Sequence, residues 1–401
     1  MSFATAPQAC QLKLEPFQVN VSERDVDELQ QLLRLSRIGP QVYENESKGN
    51  ANEQFGLTHN IVTEAVDYWR TKFDWRQQEQ RINEFPQFTT TVQDRQQNPF
   101  KLHFMALFSS KPDAIPILFC HGWPGQYCEF LSLFKLLKDR YKTSDQLPYT
   151  VIAPSLPGFV WSDRPPLNRE WEPIDTPYVL NQLMTGLGFN AYVAQGGDIG
   201  SITCRLLSIN FEACKLVHLN FVVLTRHTVP KDLSTFDTKT RKRLERTNEF
   251  FTRGVMYARL QGTKPGTLGF VLSSNPISLF CWVYEKFRAW SDETPCLDDI
   301  ILSASLYWFS NCISSSWPTY RQNTAADQSK GYIEKPFGFS CFPFELAGYP
   351  KEWVADTGNL VWYKEHDNGG HFAAVEKPQV LLQDVESFID QEWSKVKDAK
   401  L

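Results

Sequence analysis

Between residues 115 and 221, short apolar runs alternate regularly with helical patterns. Uninterrupted apolar runs of this length are typical of strands in a parallel sheet that is buried on both faces. Segments such as TPYVLNQLMTGLG and GSITCRLLSINF have helical periodicity and separate the runs. The alternation therefore predicts a mostly parallel sheet with helices on both faces. The four apolar runs are IPILFC (115–120), YTVIAP (149–154), AYVAQ (191–195) and KLVHLNF (215–221).

The rest of the chain has a different pattern. Helical segments and one hairpin pattern, FTTTVQDRQQNPFKLHFMAL, precede the alternation, and Ser22 is placed to cap the first helix. Aromatic-rich helical segments follow it, and strand patterns return at GFSCF and NLVWYKE, before a last helix. We predict one sheet interrupted by a helical insertion, which can cover the strand ends where open α/β sheets bind ligands. The predicted units are an N-terminal extension wrapping the core (1–105), the first half of the core (106–228), a helical lid (229–332) and the second half of the core (333–401).

Composition excludes two classes of partner. The 401 residues carry a net charge of -5 with no Lys/Arg run, so we expect no nucleic acid. The most apolar long stretch, LGFVLSSNPISLFCWVY, is broken by polar residues and Pro276, whereas a membrane span needs about 20 mostly apolar residues. The N-terminus lacks the pattern of a secretory signal. The sequence therefore predicts a soluble protein with no membrane anchor.

The cysteines indicate the compartment. There are nine, scattered singly and without a C-x-x-C pair. This pattern fits reduced thiols in a cytoplasmic protein better than a disulfide framework or a zinc site.

The segment QGGDIGS (195–201) resembles the turn on which hydrolases mount a nucleophile, but its central residue is Asp198 instead of serine. Gly196 and Gly200 supply the small flanking residues that such a tight strand-to-helix turn needs. The alternative is that Asp198 is a helix N-cap, a position that Asp favours. The preceding strand and the two glycines favour the nucleophile elbow.

A nucleophile on this fold needs a base later in the chain. His371 lies in DNGGHFAAVEKP, between a late strand and the last helix, where Gly369 and Gly370 allow the loop to bring the imidazole over the strand ends. The alternative is a loop histidine bound to backbone. His366 is a nearby rival, but at the end of the strand we expect it to point outward.

The acid that orients the base is expected between Asp198 and His371 in sequence. The strand after the elbow helix ends at Asn220, which is not a carboxylate. Glu345, in GFSCFPFELAGYP, could hold the imidazole N–H, or it could be a surface residue of a Pro-rich loop. Glu365 and Asp367 are weaker alternatives, because they lie very close to His371 in sequence.

The segment CHGWPG follows the first parallel strand. In this fold that loop and the residue after the nucleophile supply the oxyanion-hole N–H groups, which here are those of Trp123 and Ile199. Gly122 and Gly125 keep the backbone close to the reacting atoms. His121 is expected to be structural.

These segments together resemble the microsomal-type epoxide hydrolases of the α/β-hydrolase superfamily, most closely the soluble fungal members. The resemblance runs over nearly the whole chain and implies an α/β-hydrolase fold. The matching segments, in order, are EPFQVNVSERDVDELQQLLRLSRI, DWRQQEQRINEFPQFTT, HGWPG, PSLPGF, QGGDIGS, GTKPGTLGFVLSSNPISL, GFSCFPFELAGYPKEW and GGHFAAVEKP.

The resemblance implies a role for each candidate. Asp198 corresponds to the nucleophile, Glu345 to the acid and His371 to the base. Two lid tyrosines hold the epoxide oxygen in this family, and its motifs pick out Tyr257 in GVMYARLQGTKP and Tyr320 in SWPTYRQN. From the residues alone, aromatic packing would be the better interpretation of both. Two further lid tyrosines, Tyr284 and Tyr307, stay candidates for packing.

The implied reaction adds water to a small-molecule epoxide and gives a vicinal diol, without a metal or an organic cofactor. An alternative is haloalkane dehalogenation, although those enzymes typically have a Trp where Ile199 follows the nucleophile. The others are an epoxide-opening enzyme of secondary metabolism, in which an internal hydroxyl replaces water, and a non-catalytic small-molecule binder. The resemblance also suggests a possible homodimer.

Overall fold

A computed structural model describes residues 2–46, 54–224, 227–322 and 331–397. Within these ranges the strands form one sheet in the order β1-β2-β3-β5-β4-β6-β7-β8-β9. The first three strands pair antiparallel, β3 pairs antiparallel with β5, and the remaining pairs are parallel. The strands are β1 Glu15–Phe17, β2 Gln87–Gln93, β3 Pro99–Leu107, β4 Ile115–Cys120, β5 Tyr149–Pro154, β6 Tyr192–Gly196, β7 Cys214–Leu219, β8 Ile333–Cys341 and β9 Gly358–Glu365.

The parallel centre of the sheet confirms the prediction from the apolar runs. All residues of β5, β6 and β7 are buried, as expected for strands covered on both faces. The register pairs Cys120 with Gly196, and Gly196 with Leu219. The carboxyl ends of β4, β6 and β7 are therefore level with one another, at the edge where open α/β sheets bind ligands.

Helices cover the sheet and fill the segment between β7 and β8. The first begins after Ser22, whose hydroxyl accepts a hydrogen bond from the Asp25 N–H at 3.2 Å, so the predicted N-cap is confirmed. The helices are α1 Glu23–Leu35, α2 His59–Thr71, α3 Trp75–Asn83, α4 Leu131–Arg140, α5 Asp175–Gly186, α6 Asp198–Asn210, α7 Thr238–Glu249, α8 Met256–Thr263, α9 Pro265–Ser273, α10 Pro276–Trp290, α11 Leu297–Ser310, α12 Pro318–Arg321, α13 Lys351–Ala355, α14 Ala373–Glu376 and α15 Pro378–Val396.

The N-terminal region is joined to the rest in two ways. Its strands β1 and β2 extend the same sheet, and the predicted boundary after residue 105 falls inside β3. Its helices α2 and α3 contact the lid, where the Tyr68 hydroxyl donates to Asp298 Oδ1 at 2.9 Å and Arg81 Nη1 donates to Asp299 Oδ1 at 2.6 Å. The division into four units stays a prediction.

Among the described helices, none is by itself long and apolar enough to cross a membrane. The consecutive helices α9 and α10 reach that length and apolarity only together, and they are bent by 114° where they meet.

Candidate active site

The turn between β6 and α6 has the strained backbone of a nucleophile elbow. Asp198 has a φ of +45°, in the left-handed region that residues other than glycine rarely occupy. The N-cap of α6 is Gly197, and no side chain caps it. The helix-cap alternative for Asp198 is therefore wrong: its carboxylate instead accepts a hydrogen bond from the Trp123 N–H at 2.8 Å.

The glycines around the elbow have a steric reason. A Cβ on Gly200 would lie 2.0 Å from the Cys120 carbonyl oxygen, because α6 begins directly against the end of β4. A Cβ on Gly122 would lie 2.4 Å from the Asp198 Cβ. Both contacts are far below van der Waals distance, so only glycine permits this close approach of loop, strand and elbow.

His371 and Glu345 form a buried pair beside the elbow. The His371 Nδ1–H donates to Glu345 Oε1 at 2.5 Å, and both side chains are almost fully buried. The same Glu345 oxygen accepts the Leu346 N–H at 2.6 Å, which fixes its orientation. The other imidazole nitrogen, His371 Nε2, lies 3.2 Å from Asp198 Oδ2 without forming a hydrogen bond to it. The structure thus brings all three residues together.

Two opposing effects set the charge of His371. Burial by itself lowers the pKa of the imidazole, but the carboxylates of Glu345 and Asp198 outweigh it and raise the pKa to about 10. The imidazole is therefore positively charged near neutral pH, and it lies between the carboxyl groups of Glu345 and Asp198.

The structure does not bring the rival acids and bases to the nucleophile. We expected His366 to point outward, and this was wrong: its side chain is only 10% exposed, and its Nε2 lies 2.5 Å from Asp384 Oδ2. Glu365 accepts a hydrogen bond from Arg243, and Asp367 accepts one from Lys239 on the exposed surface. Asn220 does line the cavity that contains Asp198 and His371, but it is not a carboxylate, and its amide oxygen accepts a hydrogen bond from the buried Gln195 side chain at 2.9 Å.

Two backbone N–H groups belong to the predicted oxyanion hole. That of Trp123 donates to the Asp198 carboxylate, and that of Ile199 belongs to the first turn of α6, where N–H groups have no acceptor within the helix. His121 supports the loop: its Nδ1 lies 3.0 Å from the Gly122 carbonyl oxygen and its Nε2 accepts the Leu156 N–H at 3.0 Å. Burial lowers the pKa of His121 to about 4, which suits the structural role expected for it.

Tyr257 and Tyr320 meet in the lid, from α8 and α12. Their hydroxyl oxygens are 3.5 Å apart, and both rings contact the Trp123 indole, at centroid distances of 5.2 and 5.8 Å. Burial, followed by the negative charge of Asp198, raises the pKa of Tyr257 well above its usual range. Burial and the neighbouring Tyr257 raise the pKa of Tyr320 in the same direction. Both phenols therefore stay protonated and can donate hydrogen bonds.

The two other lid tyrosines differ from each other. Tyr284 packs its ring on Phe280 at a centroid distance of 4.9 Å, as expected. Tyr307 is buried too, but its hydroxyl donates to the Gly125 carbonyl oxygen at 3.1 Å. One turn earlier, the Ser303 hydroxyl donates to the Pro124 carbonyl oxygen at 3.0 Å. Helix α11 thus holds the loop that carries the Trp123 N–H, a role that packing alone does not describe.

Two residues of the site were missed in the sequence. Glu129 lines, together with Asp198 and His371, a cavity of about 20 Å³, enough for about one water molecule. Burial and then the charge of Asp198 raise the pKa of Glu129 well above its usual range. The sequence signal that accompanies this carboxyl is Gly125, because a Cβ at that position would lie 2.0 Å from Glu129 Oε2. The second missed residue is Trp290, whose carbonyl oxygen accepts a hydrogen bond from the backbone N–H of His371 at 3.0 Å.

No group of three or more potential metal ligands occurs among the described histidine, cysteine, aspartate and glutamate side chains. All nine cysteines lie within the described ranges and are free thiols.

The parallel sheet, the elbow that carries Asp198 and the helical insertion define an α/β-hydrolase with a carboxylate at its nucleophile position. A protein from Dothistroma septosporum that is named as an epoxide hydrolase is 39% identical over 396 residues, which cover 98% of this chain and 94% of the relative. The chain therefore belongs to the epoxide hydrolase family and is an enzyme of that class, in agreement with the resemblance of its motifs.

Further comparisons agree. The family models "Epoxide hydrolase N terminus" and "alpha/beta hydrolase fold" match residues 14–130 and 115–252. The solved structure of an Aspergillus niger epoxide hydrolase is 40% identical, with a TM-score of 0.91 over 98% of this chain and 100% of that one. Epoxide hydrolase 1 of Sus scrofa is 29% identical, with 94% of this chain and 88% of the relative covered.

Proposed function

We propose that the enzyme hydrolyses a small-molecule epoxide to a vicinal diol through a covalent ester on Asp198. The observation that carries this proposal is the position of the Asp198 carboxylate, with one oxygen bound by the Trp123 N–H and the other 3.2 Å from His371. A carboxylate is already an anion, so it can attack a saturated carbon without a base to activate it.

In the first half-reaction, a carboxylate oxygen of Asp198 forms a bond to one epoxide carbon and the bond from that carbon to the epoxide oxygen breaks. Tyr257 and Tyr320 donate hydrogen bonds to the oxygen as its negative charge grows. The oxygen takes up one proton, which His371 can release because the charge of Asp198 has been lost. The products are a hydroxyalkyl ester and a neutral imidazole.

In the second half-reaction, neutral His371, oriented by Glu345, removes a proton from a water molecule that attacks the ester carbonyl carbon. The N–H groups of Trp123 and Ile199 stabilise the oxyanion that forms. The bond between the carbonyl carbon and the alkyl oxygen then breaks, and the diol leaves after that oxygen takes the proton from His371. A final proton transfer from the Asp198 carboxylic acid to His371 restores the carboxylate and the imidazolium.

A single turnover in ¹⁸O-labelled water tests the covalent route. Because water attacks the ester carbonyl, we expect the label in the Asp198 carboxylate, detected by mass spectrometry of the peptide, and not in the first diol released. Label that appears in the diol alone would contradict the proposal.

Asp198→Ala should form no diol, whereas His371→Gln should accumulate the ester, which an intact-mass measurement detects.

The rival reactions gain no support from this site. The side chain after the nucleophile is Ile199, which cannot donate a hydrogen bond to a halide, and the lid donors are hydroxyl groups that suit an oxygen. Turnover of an epoxide that carries an internal hydroxyl distinguishes the remaining alternative, because opening by that hydroxyl gives a cyclic ether without ¹⁸O, whereas hydrolysis gives a diol.

We also propose that the enzyme works in the cytoplasm, has neither a nucleic acid nor a membrane as partner, and needs no cofactor. Its nine free thiols support a reducing compartment. A homodimer is proposed from the family resemblance, and light scattering coupled to gel filtration tests it.

A further inference from the structure

A buried lysine lies behind the lid tyrosines. The side chain of Lys286, on α10, is only 8% exposed. Its ammonium group lies 4.6 Å from the centroid of the Tyr257 ring, 5.3 Å from that of Trp282 and 5.9 Å from that of Trp290. Three aromatic rings therefore surround one cation, and Tyr257 is the nearest.

Burial of the Lys286 ammonium costs free energy unless other groups stabilise its charge. A buried ammonium loses its hydration, and neighbouring carboxylates or aromatic faces must replace it. Its ion-pair partner is Glu285, the preceding residue of the same helix, whose side chain is 30% exposed. Because Lys286 and Glu285 are neighbours on α10, their ion pair does not by itself explain why the ammonium lies at the ring of Tyr257.

We propose that Lys286 is a positioning residue that acts through Tyr257 in ring opening, which rests on the proposed role of Tyr257. The face of an aromatic ring attracts a cation through its negative quadrupole. Beyond burial and the charge of Asp198, the charge of the Glu285 carboxylate raises the pKa of Tyr257. The ammonium opposes this effect because it draws electron density from the ring, which leaves the phenol O–H a stronger hydrogen-bond donor. The Tyr257 hydroxyl can then stabilise the charge that develops on the epoxide oxygen, while the ammonium itself touches neither substrate nor Asp198.

Transient kinetics can separate this role from a structural one. We compare Lys286→Met, Lys286→Arg, Tyr257→Phe and the double variant Lys286→Met/Tyr257→Phe, with styrene oxide as the probe. Ester formation and ester hydrolysis are followed separately by quenching and intact-mass analysis. We expect Lys286→Met to slow ester formation on the order of tenfold, as expected for a desolvated cation–π contact, and to leave ester hydrolysis unchanged. Lys286→Arg should keep most of the rate.

The double variant decides the pathway. If Lys286 acts through Tyr257, Lys286→Met has no further effect on ester formation once Tyr257 is Phe. An equal loss of rate in both backgrounds, or an equal slowing of both chemical steps, would overturn the inference. If Tyr257→Phe alone leaves ester formation unchanged, the role proposed for Tyr257 fails instead.

A matched control lies outside the site. Lys351, which is exposed on α13, lies over the ring of Tyr363 at 5.6 Å and also forms a cation–π pair with a tyrosine. Lys351→Met should leave both steps unchanged. Thermal unfolding of each variant shows whether the fold is kept, and slower ester formation in a Lys286→Met variant of unchanged Tm would exclude a loss of folding as its cause.

Discussion

At the scale of single residues, the carboxylate of Asp198 adds to that of Glu345 in holding the proton on His371. The pKa of the imidazole is about 10, because two carboxylates outweigh the effect of burial. An imidazolium cannot accept a proton from water, so the resting site is not yet a base. Alkylation turns Asp198 into a neutral ester and removes one of the two charges, which lowers the pKa. The proposed reaction thus prepares its own base only after the ester has formed.

Asp198→Asn tests this coupling, since the amide has the shape of the carboxylate but no charge. Loss of a nearby negative charge destabilises the imidazolium, so the pKa of His371 should be lower in the variant than in the wild type. A pH titration of the His371 ring signals by NMR measures the difference. Asp367→Asn, on the exposed surface, serves as the control and should leave the pKa unchanged. Equal pKa values in wild type and Asp198→Asn would refute the coupling.

At the scale of elements, the sequence predicts best what depends on local residues. The turn at Asp198 was predictable, because a strand, a helix and the glycines that a tight turn needs all lie within a dozen residues. The pairing of Glu345 with His371 could be predicted only in part, since spacing alone also allowed Glu365 or Asp367 as the acid. In the structure these two side chains instead bind an arginine and a lysine that are distant in sequence.

The contribution of α11 was not predictable from sequence. Tyr307 lies 182 residues from the Gly125 carbonyl to which it donates. A buried tyrosine in an aromatic-rich helix has the same local pattern whether its hydroxyl binds a loop or not. Glu129 was missed for a similar reason, because only the folded chain brings its carboxyl to the cavity beside His371.

Tyr307→Phe tests whether α11 holds the oxyanion loop, which is the segment 120–125 that carries the Trp123 N–H. The variant loses one hydrogen bond to the Gly125 carbonyl, worth about 1 kcal/mol. A less constrained loop should bind the oxyanion more weakly, so we expect ester hydrolysis to slow about fivefold. Quenched-flow mass analysis measures the ester that accumulates. Tyr284→Phe, in the same lid but packed on Phe280, should hydrolyse the ester at the wild-type rate. Equal rates in both variants would show that the hydroxyl of Tyr307 has no such role.

At the scale of the whole molecule, the N-terminal helices hold the lid against the core. Aromatic contacts join Trp69 to Phe280 of α10, and Trp75 to Phe309 of α11, at centroid distances of 5.4 and 4.6 Å. Polar contacts reach the first turn of α11, the helix whose hydroxyls hold the oxyanion loop. The N-terminal region therefore extends the sheet on one side and fixes the position of a lid helix on the other.

This arrangement predicts that a change in α3 reaches the active site through α11. Arg81→Met removes the ion pair with Asp299, whose partial exposure limits its worth to about 0.2–1 kcal/mol. Hydrogen exchange of the Leu297–Ser310 amides should therefore become up to about fivefold faster, while that of β6 and β7 stays unchanged, and ester hydrolysis should slow modestly. Lys135→Met, which breaks the exposed pair with Asp139 on α4, controls for loss of a surface ion pair. Faster exchange throughout the sheet would mean general destabilisation instead, and unchanged exchange in α11 would mean that this ion pair does not hold the lid.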